Sequence, residues 1–190
     1  MLTTVIGKIA GGIADDILTT TVMACTCKIL IAPPMFVDVI PVTSAQEMFE
    51  KVATNASEND IIIKAAAVAD YRPKEVYDEK IKKSDRDAVI ELKRTTDILA
   101  YLGQNKGKTY LCGFSMETEN MLENSRKKLD KKNLDMIVAN NLKEKGAGFG
   151  VDTNLITIIT RDRELQLELM SKQSAANCIL DEIIKEIKNR

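Results

Sequence analysis

Three stretches of the chain run apolar without alternating: "DIIIKAAAVA" from residue 60, "TYLCGF" from residue 109 and "LDMIVAN" from residue 134. A strand with one wet face alternates apolar and polar residues, so a run that does not alternate is expected to be covered on both sides, as in a parallel sheet flanked by helices. Helical signals fall between these runs. "SAQEMFEKVATNA" opens on Ser44 with Glu47 three residues on, a capping box. "TDILAYLGQN" reads as a short helix, and "TENMLENSRKKLDKKN" as another with Met121, Leu122, Ser125 and Leu129 on one side. The pattern predicts an α/β fold, a Rossmann-like, mostly parallel sheet flanked by helices. Its strands should lie near 61–69, 109–114 and 134–139, with their carboxyl ends on one edge.

Shorter signals fill in the rest. Ile6, Ile9, Ile13 and Ile17 recur at three- and four-residue spacing and predict a helix over 3–24. "KILIAPPM", "VDVIPVT" and "AVIELKR" read as short strands. "LITIITRDRELQLELM" reads as a C-terminal β-hairpin turning near Asp162 and Arg163, and "KQSAANCILDEIIKEIKNR" as a closing amphipathic helix. "GAGFG" is followed by a hairpin and not by a helix, so it reads as a tight or mobile loop and not as a dinucleotide fingerprint.

The 190 residues suffice for one domain with a core. A net charge of −1 gives no general attraction to nucleic acid. Cys25, Cys27, Cys112 and Cys178 have no disulfide-like spacing and read as reduced thiols of a cytoplasmic protein. No apolar run approaches a membrane span, and no basic segment followed by an apolar core marks a signal peptide. The chain contains no histidine, which removes Ser-His-Asp and Cys-His catalysis and makes a zinc site improbable. No metal ligands are assigned.

In open α/β sheets ligands bind beyond the carboxyl ends of the strands. Here those ends carry Asp70, then Phe114 with Glu117 and Thr118 just beyond, then Asn140 and Asn141. Lys80, Lys82 and Lys83 form "KIKK". Lys128 and Lys132 are four apart near a helix end and share one face. They could grip phosphate oxygens, or simply complement the helix dipole in water.

In this order, "AAVADYRPKE", "KIKK", "DIL", "GFSMET", "KLDKKNLDMIVAN" and "GFGVDTN" resemble the phosphopantothenate–cysteine ligase family, from about Val39 to the C-terminus. The opening "IGKIAGGIADDILTTTVMACTCKILIAPPM" resembles the last part of a flavin-dependent phosphopantothenoylcysteine decarboxylase, an activity fused ahead of the ligase in many bacteria. The resemblance divides the chain into a remnant over 1–36 and a ligase-like domain over 37–190. The ligase family's Gly-rich segment before the "SAQEMF" helix is missing, and the chain reads as a deletion that joins the two pieces.

Residue by residue, the resemblance implies that Ala66, Ala67 and Asp70 contact a cytidine nucleotide. It implies the same for Thr96, Asp97, Ile98 and Leu99, where "TTDIL" stands in place of the family's "NPDIL". Phe114 would lie beside the nucleotide, and Lys128 and Lys132 would contact phosphate. Lys80 would reach in from a flap as the catalytic cation. Asp70 could hold the cytidine, its ribose or, through water, Mg²⁺. The implied reaction joins phosphopantothenate to cysteine with CTP and Mg²⁺ through an acyl-cytidylate, in a homodimer. Bound FMN is not expected, since the other half of a flavin pocket is absent. The alternative reading is a catalytically inactive fragment that binds nucleotide or dimerises.

Overall fold

The computed structural model describes residues 2–10, 17–25, 37–77, 79, 89–117, 119–141 and 151–190. The strands of its main sheet are β1 (Leu2–Ala10), β2 (Ile17–Cys25), β3 (Val37–Val42) and β4 (Ile61–Lys64), then β7 (Tyr110–Glu117), β8 (Met136–Asn141), β10 (Ile156–Thr160) and β11 (Glu164–Gln166). Two small ribbons pair β5 (Tyr71–Pro73) with β6 (Leu92–Arg94) and β9 (Thr153–Asn154) with β12 (Met170–Ser171). The main sheet runs β11-β10-β8-β7-β4-β1-β2-β3. At its heart β4, β7 and β8 are parallel neighbours, as expected from their unbroken apolar runs. β1 and β10 run against their neighbours, so the other six strands share one direction.

Helices cover both faces. α1 (Ala45–Asn55), α2 (Ile98–Asn105) and α3 (Met121–Lys131) place Met48, Val52, Ile98, Leu99, Leu102 and Leu129 against Leu111, Ile137 and Ala139. On the other face α4 (Lys172–Lys188) buries Ala175, Ile179 and Ile183, spaced four apart, against Cys112, Met136 and Val138. Each fully buried Ile or Leu contributes about 1.5–3 kcal/mol. The burial that the sequence pattern requires is therefore supplied on both sides. Cys112 is fully buried, and burial pushes its thiol far above the usual range, so it is inert in the folded chain.

The helix starts follow their caps. Ser44 Oγ accepts the Glu47 amide at 3.1 Å. The Glu47 carboxylate reaches past Ser44 to accept from the amide and hydroxyl of Thr43, a wider version of the expected box. Asp97 caps α2 by accepting from the Ala100 amide.

Several expectations are corrected. Residues 3–24 are not a helix; they form β1 and β2, paired antiparallel in register from Leu2 with Cys25 to Ala10 with Ile17. The isoleucine spacing misled because it coincides with two Thr-, Val- and Ile-rich segments, which favour strand, and because the edge of β4 offers β1 a backbone partner. β4 stops at Lys64, five residues short of the expected end, and residues 65–69 are irregular. Alanines give a strand little to pack, and Lys64 Nζ donates to Ala66 O at 2.8 Å across the bend. β7 continues to Glu117, past the expected end at Phe114. The "AVIELKR" strand shrinks to the exposed β6. Leu122 is exposed, while Met121, Ser125 and Leu129 face the core as expected. The hairpin turns at 161–163, where Thr160 N–H donates to Arg163 O. The "KILIAPPM" strand, the "KIKK" segment with Lys80, and the "GAGFG" loop lie outside the described residues. Among the described residues no helix is long and apolar enough to cross a membrane.

Candidate functional site

Charged groups meet at the carboxyl ends of β4 and β7, on the face covered by α2 and α3. Side chains alternate along β7. Gly113 lies under Leu99 and Leu134, and the Ser115 and Ser125 hydroxyls join β7 to α3 at 2.5 Å. Glu117, two residues further, therefore points to the same face and takes the Lys128 ammonium. One turn along, the main chain of Lys132 packs on α2 at Gly103, while its ammonium runs back to the start of that helix. There it meets Asp97 Oδ2 at 2.9 Å. Both lysines thus turn inward, whereas their neighbour Lys127 only bridges to Glu123 on the exposed surface of α3. Arg126 reaches β10 and β11 instead. It clamps the hairpin through Glu164 at 2.6 Å.

Burial works against the Asp97 carboxylate, but the Ala100 amide, Lys132 and Lys64 outweigh it and hold the carboxyl below its usual range. Lys64 is the residue that sequence reasoning missed. Burial first, and the nearby Lys132 charge second, bring its ammonium down to about 8, with Asp97 opposing them. The signal was present in the sequence as a lone lysine inside "IIIKAAAVA".

The other candidates are placed less uniformly. Ala66 is buried just beyond β4, Ala67 is exposed beside it, and Asp70 is exposed at the start of the β5–β6 ribbon. There Asp70 O accepts from Thr95 N–H at 2.8 Å, which ties the loop after β4 to the segment leading into α2. Thr96 is exposed. Ile98 and Leu99 are buried in the core, so what they offer a ligand is main chain. Phe114 lies on the opposite face of the sheet, packed against the α4 cluster, and is not brought together with the lysines. Asn140 pairs with Met116 and so shares that second face, and its Oδ1 is buried without a hydrogen-bond partner.

A cleft of about 560 Å³ opens at the opposite, amino end of the strands, lined among others by Lys106, Asp135, Arg161, Glu186 and Arg190. Three of its charges, Lys106, Asp135 and Arg190, pair with one another. Asp135 accepts from Lys106 at 2.9 Å, from Leu111 N–H at 2.7 Å and from Arg190, whose guanidinium also covers the Tyr110 ring. That arrangement locks α2, β7 and the chain end together, and it leaves the carboxyl edge as the place for chemistry.

Residues 7–187 match the family described as the DNA/pantothenate metabolism flavoprotein C-terminal domain. The chain belongs to that family. It is 49% identical over 152 residues to the coenzyme A biosynthesis bifunctional protein CoaBC of Bacillus subtilis, covering 80% of this chain and 37% of that protein. A prokaryotic protein of unknown organism, named cysteine/cysteine sulfinic acid decarboxylase, is 46% identical over 150 residues, covering 78% of this chain and 42% of that one. The chain thus spans well under half the length of these relatives. The crystal structure of the C-terminal domain of CoaBC superposes with a TM-score of 0.70 at 41% identity, covering 84% of this chain and 73% of that domain.

Proposed function

We propose that the chain carries the ligase step of coenzyme A biosynthesis, joining 4'-phosphopantothenate to cysteine at the expense of CTP, in the cytoplasm and as a homodimer. The observation that carries this reading is the inward turn of Lys128 and Lys132 toward acids at the carboxyl edge, in a chain similar to the solved C-terminal domain of CoaBC. A carboxylate is a poor electrophile and needs activation. Its oxygen attacks the α-phosphorus of CTP, pyrophosphate leaves, and the acyl-cytidylate is opened by the cysteine amine with loss of CMP. Negative charge collects on phosphate oxygens throughout, and ammonium groups held in place stabilise it without any histidine. Lys128 and Lys132 would exchange Glu117 and Asp97 for phosphate oxygens. Ala66, Ala67, Asp70 and the 96–99 segment would take the nucleoside side, and Lys80 would supply a further cation. Phe114 and the unpartnered Asn140 Oδ1 offer an apolar and a polar contact on the second face of the same edge.

Among the described residues no three His, Cys, Asp or Glu converge as a metal cage. Mg²⁺ would accordingly arrive on the triphosphate it accompanies, and no step is assigned to it.

The lysines provide the test. Lys128→Ala should weaken CTP binding by about 1.5–3 kcal/mol, the value of a hydrogen bond to a charged group. Lys127→Ala should change it by less than about 0.5 kcal/mol. Calorimetric titration of both variants decides, and equal losses would mean a diffuse positive field in place of a clamp.

A second reading is favoured by one observation. "APPM" runs almost directly into "VDVIPVTSAQEM", without the Gly-rich segment of the ligase family. On that reading the chain binds CTP and releases no pyrophosphate when all three substrates are present.

A further inference from the structure

Lys64 ends β4 at the floor of the site. Its ammonium is half-buried, and its hydrogen bond goes to a neutral acceptor, Ala66 O, at 2.8 Å. Among the described residues the charges around it do not balance. Lys128 is matched by Glu117 and Lys132 by Asp97 at 2.9 Å, whereas Lys64, paired with Gly113 under Leu99 on the face that α2 and α3 cover, has no ion pair of its own among the described residues. One positive charge in a partly dry pocket is therefore left over. Water solvates such a charge poorly there, and a second anion would match it.

We propose that Lys64 and Lys132 together bind one phosphate group of the ligand, with Asp97 releasing Lys132 as the phosphate enters. This deepens the nucleotide reading of the same site and rests on it for the identity of the ligand. It adds a binding residue on β4 to those that the lysine pair on α3 suggested.

The arrangement makes binding sensitive to protons. Among the described residues the charged groups that act on Lys64 are Asp97 at the cap of α2 and Lys132 beyond α3. In the free protein burial and Lys132 disfavour the ammonium, which titrates at about 8. A bound phosphate favours it and raises that value. Near and above pH 8 a fraction of the protein is neutral at Lys64, so binding must take up a proton, whereas near neutrality Lys64 is already charged and takes up little.

The experiment follows the lysine Cε and Nζ resonances of the isotope-labelled chain across pH 6.5–10.5, alone, with CTP, and with sulfate as a simple dianion whose own protons do not titrate there. Lys64→Met assigns the signal. In the free chain the Lys64 signal should titrate at about 8. Either anion should move it upward by about one unit or more. Lys64→Met, with an unchanged thermal melt, should bind CTP about tenfold more weakly. If CTP binds and the Lys64 signal does not move, the inference fails while the nucleotide reading stands. If sulfate moves it and CTP does not bind, the anion site stands and the nucleotide reading fails. If neither moves it, Lys64 is not a ligand-binding residue.

Discussion

Asp135→Ala is expected to destabilise the fold by about 3–5 kcal/mol, the cost of removing one partner from a buried ion pair. Asp135 has only 8% of its side chain exposed, and Lys106, its partner at 2.9 Å, only 13%. Removing the carboxylate leaves the Lys106 charge in a partly dry site. It also strips the Leu111 amide of its acceptor at the entrance to β7 and releases Arg190 from the end of α4. Asp135→Asn keeps an acceptor for the Leu111 amide and loses the charge, so its cost should fall between those of Ala and the native residue. The surface pair Lys74–Glu91 is the control, with 56% and 69% of its side chains exposed. Lys74→Ala should change stability by under about 1 kcal/mol. Denaturant unfolding of the three variants tests the ordering. A loss for Asp135→Ala no larger than that for Lys74→Ala would show that the cleft network holds nothing together.

Gly103→Ala is the second large effect, and its sign opposes helix propensity. In a helix interior alanine is normally favoured over glycine by about 1 kcal/mol. At Gly103 an added Cβ would stand 1.8 Å from Lys132 O and 2.8 Å from Lys132 C, which is main chain and has no rotamer to change. Either α2 or the turn after α3 must move. That turn is pinned by the Asn133 amide donating to Gly103 O at 2.8 Å and by Asn133 itself at φ +51°. A net destabilisation of about 3 kcal/mol is expected, near the upper end for overpacking. Because the displaced residue is Lys132, CTP affinity should fall in the same variant, with no ligand-facing side chain altered. Gly113→Ala is the contrast. Its Cβ would meet Leu99 Cδ2 at 2.7 Å and Leu134 Cδ1 at 3.0 Å, the flexible ends of side chains that can give way. A loss of about 1 kcal/mol with CTP affinity retained is expected there. Thermal melts and CTP titrations of both variants separate the two, and a Gly103→Ala variant more stable than the native chain would refute the close packing of α2 on Lys132.

The heart of the fold was readable because its physics is local. β4, β7 and β8 do not alternate, and strands covered on both faces need not. The caps at Ser44 and Asp97 are likewise written in two or three residues. What failed to read depends on partners distant in sequence. Isoleucines at helical spacing did not reveal that 2–10 would pair with 61–64, because that choice lies in backbone hydrogen bonds offered by another strand. In the site, the inward turn of Lys128 and Lys132 follows the helical spacing. The acids they meet, Glu117 and Asp97, are far from them in sequence or on another element. Phe114 shows the limit of reading strand ends. It was expected at the end of its strand and lies three residues before it, and parity along β7 sends its side chain to the face away from the lysines. Lys64 was passed over because the run was read for its apolar residues, and the groups that give its lone lysine a role, Asp97 and Lys132, are far away in sequence.

The most direct measurement is a calorimetric titration of the chain with CTP and with ATP, each with Mg²⁺, followed by pyrophosphate release on adding phosphopantothenate and cysteine. The expected result is saturable CTP binding at least about tenfold tighter than ATP, a difference of about 1.4 kcal/mol, with pyrophosphate released only when CTP and phosphopantothenate are both present. Equal affinity for the two nucleotides, or no binding of either, would contradict a cytidine nucleotide site at the carboxyl edge of β4 and β7.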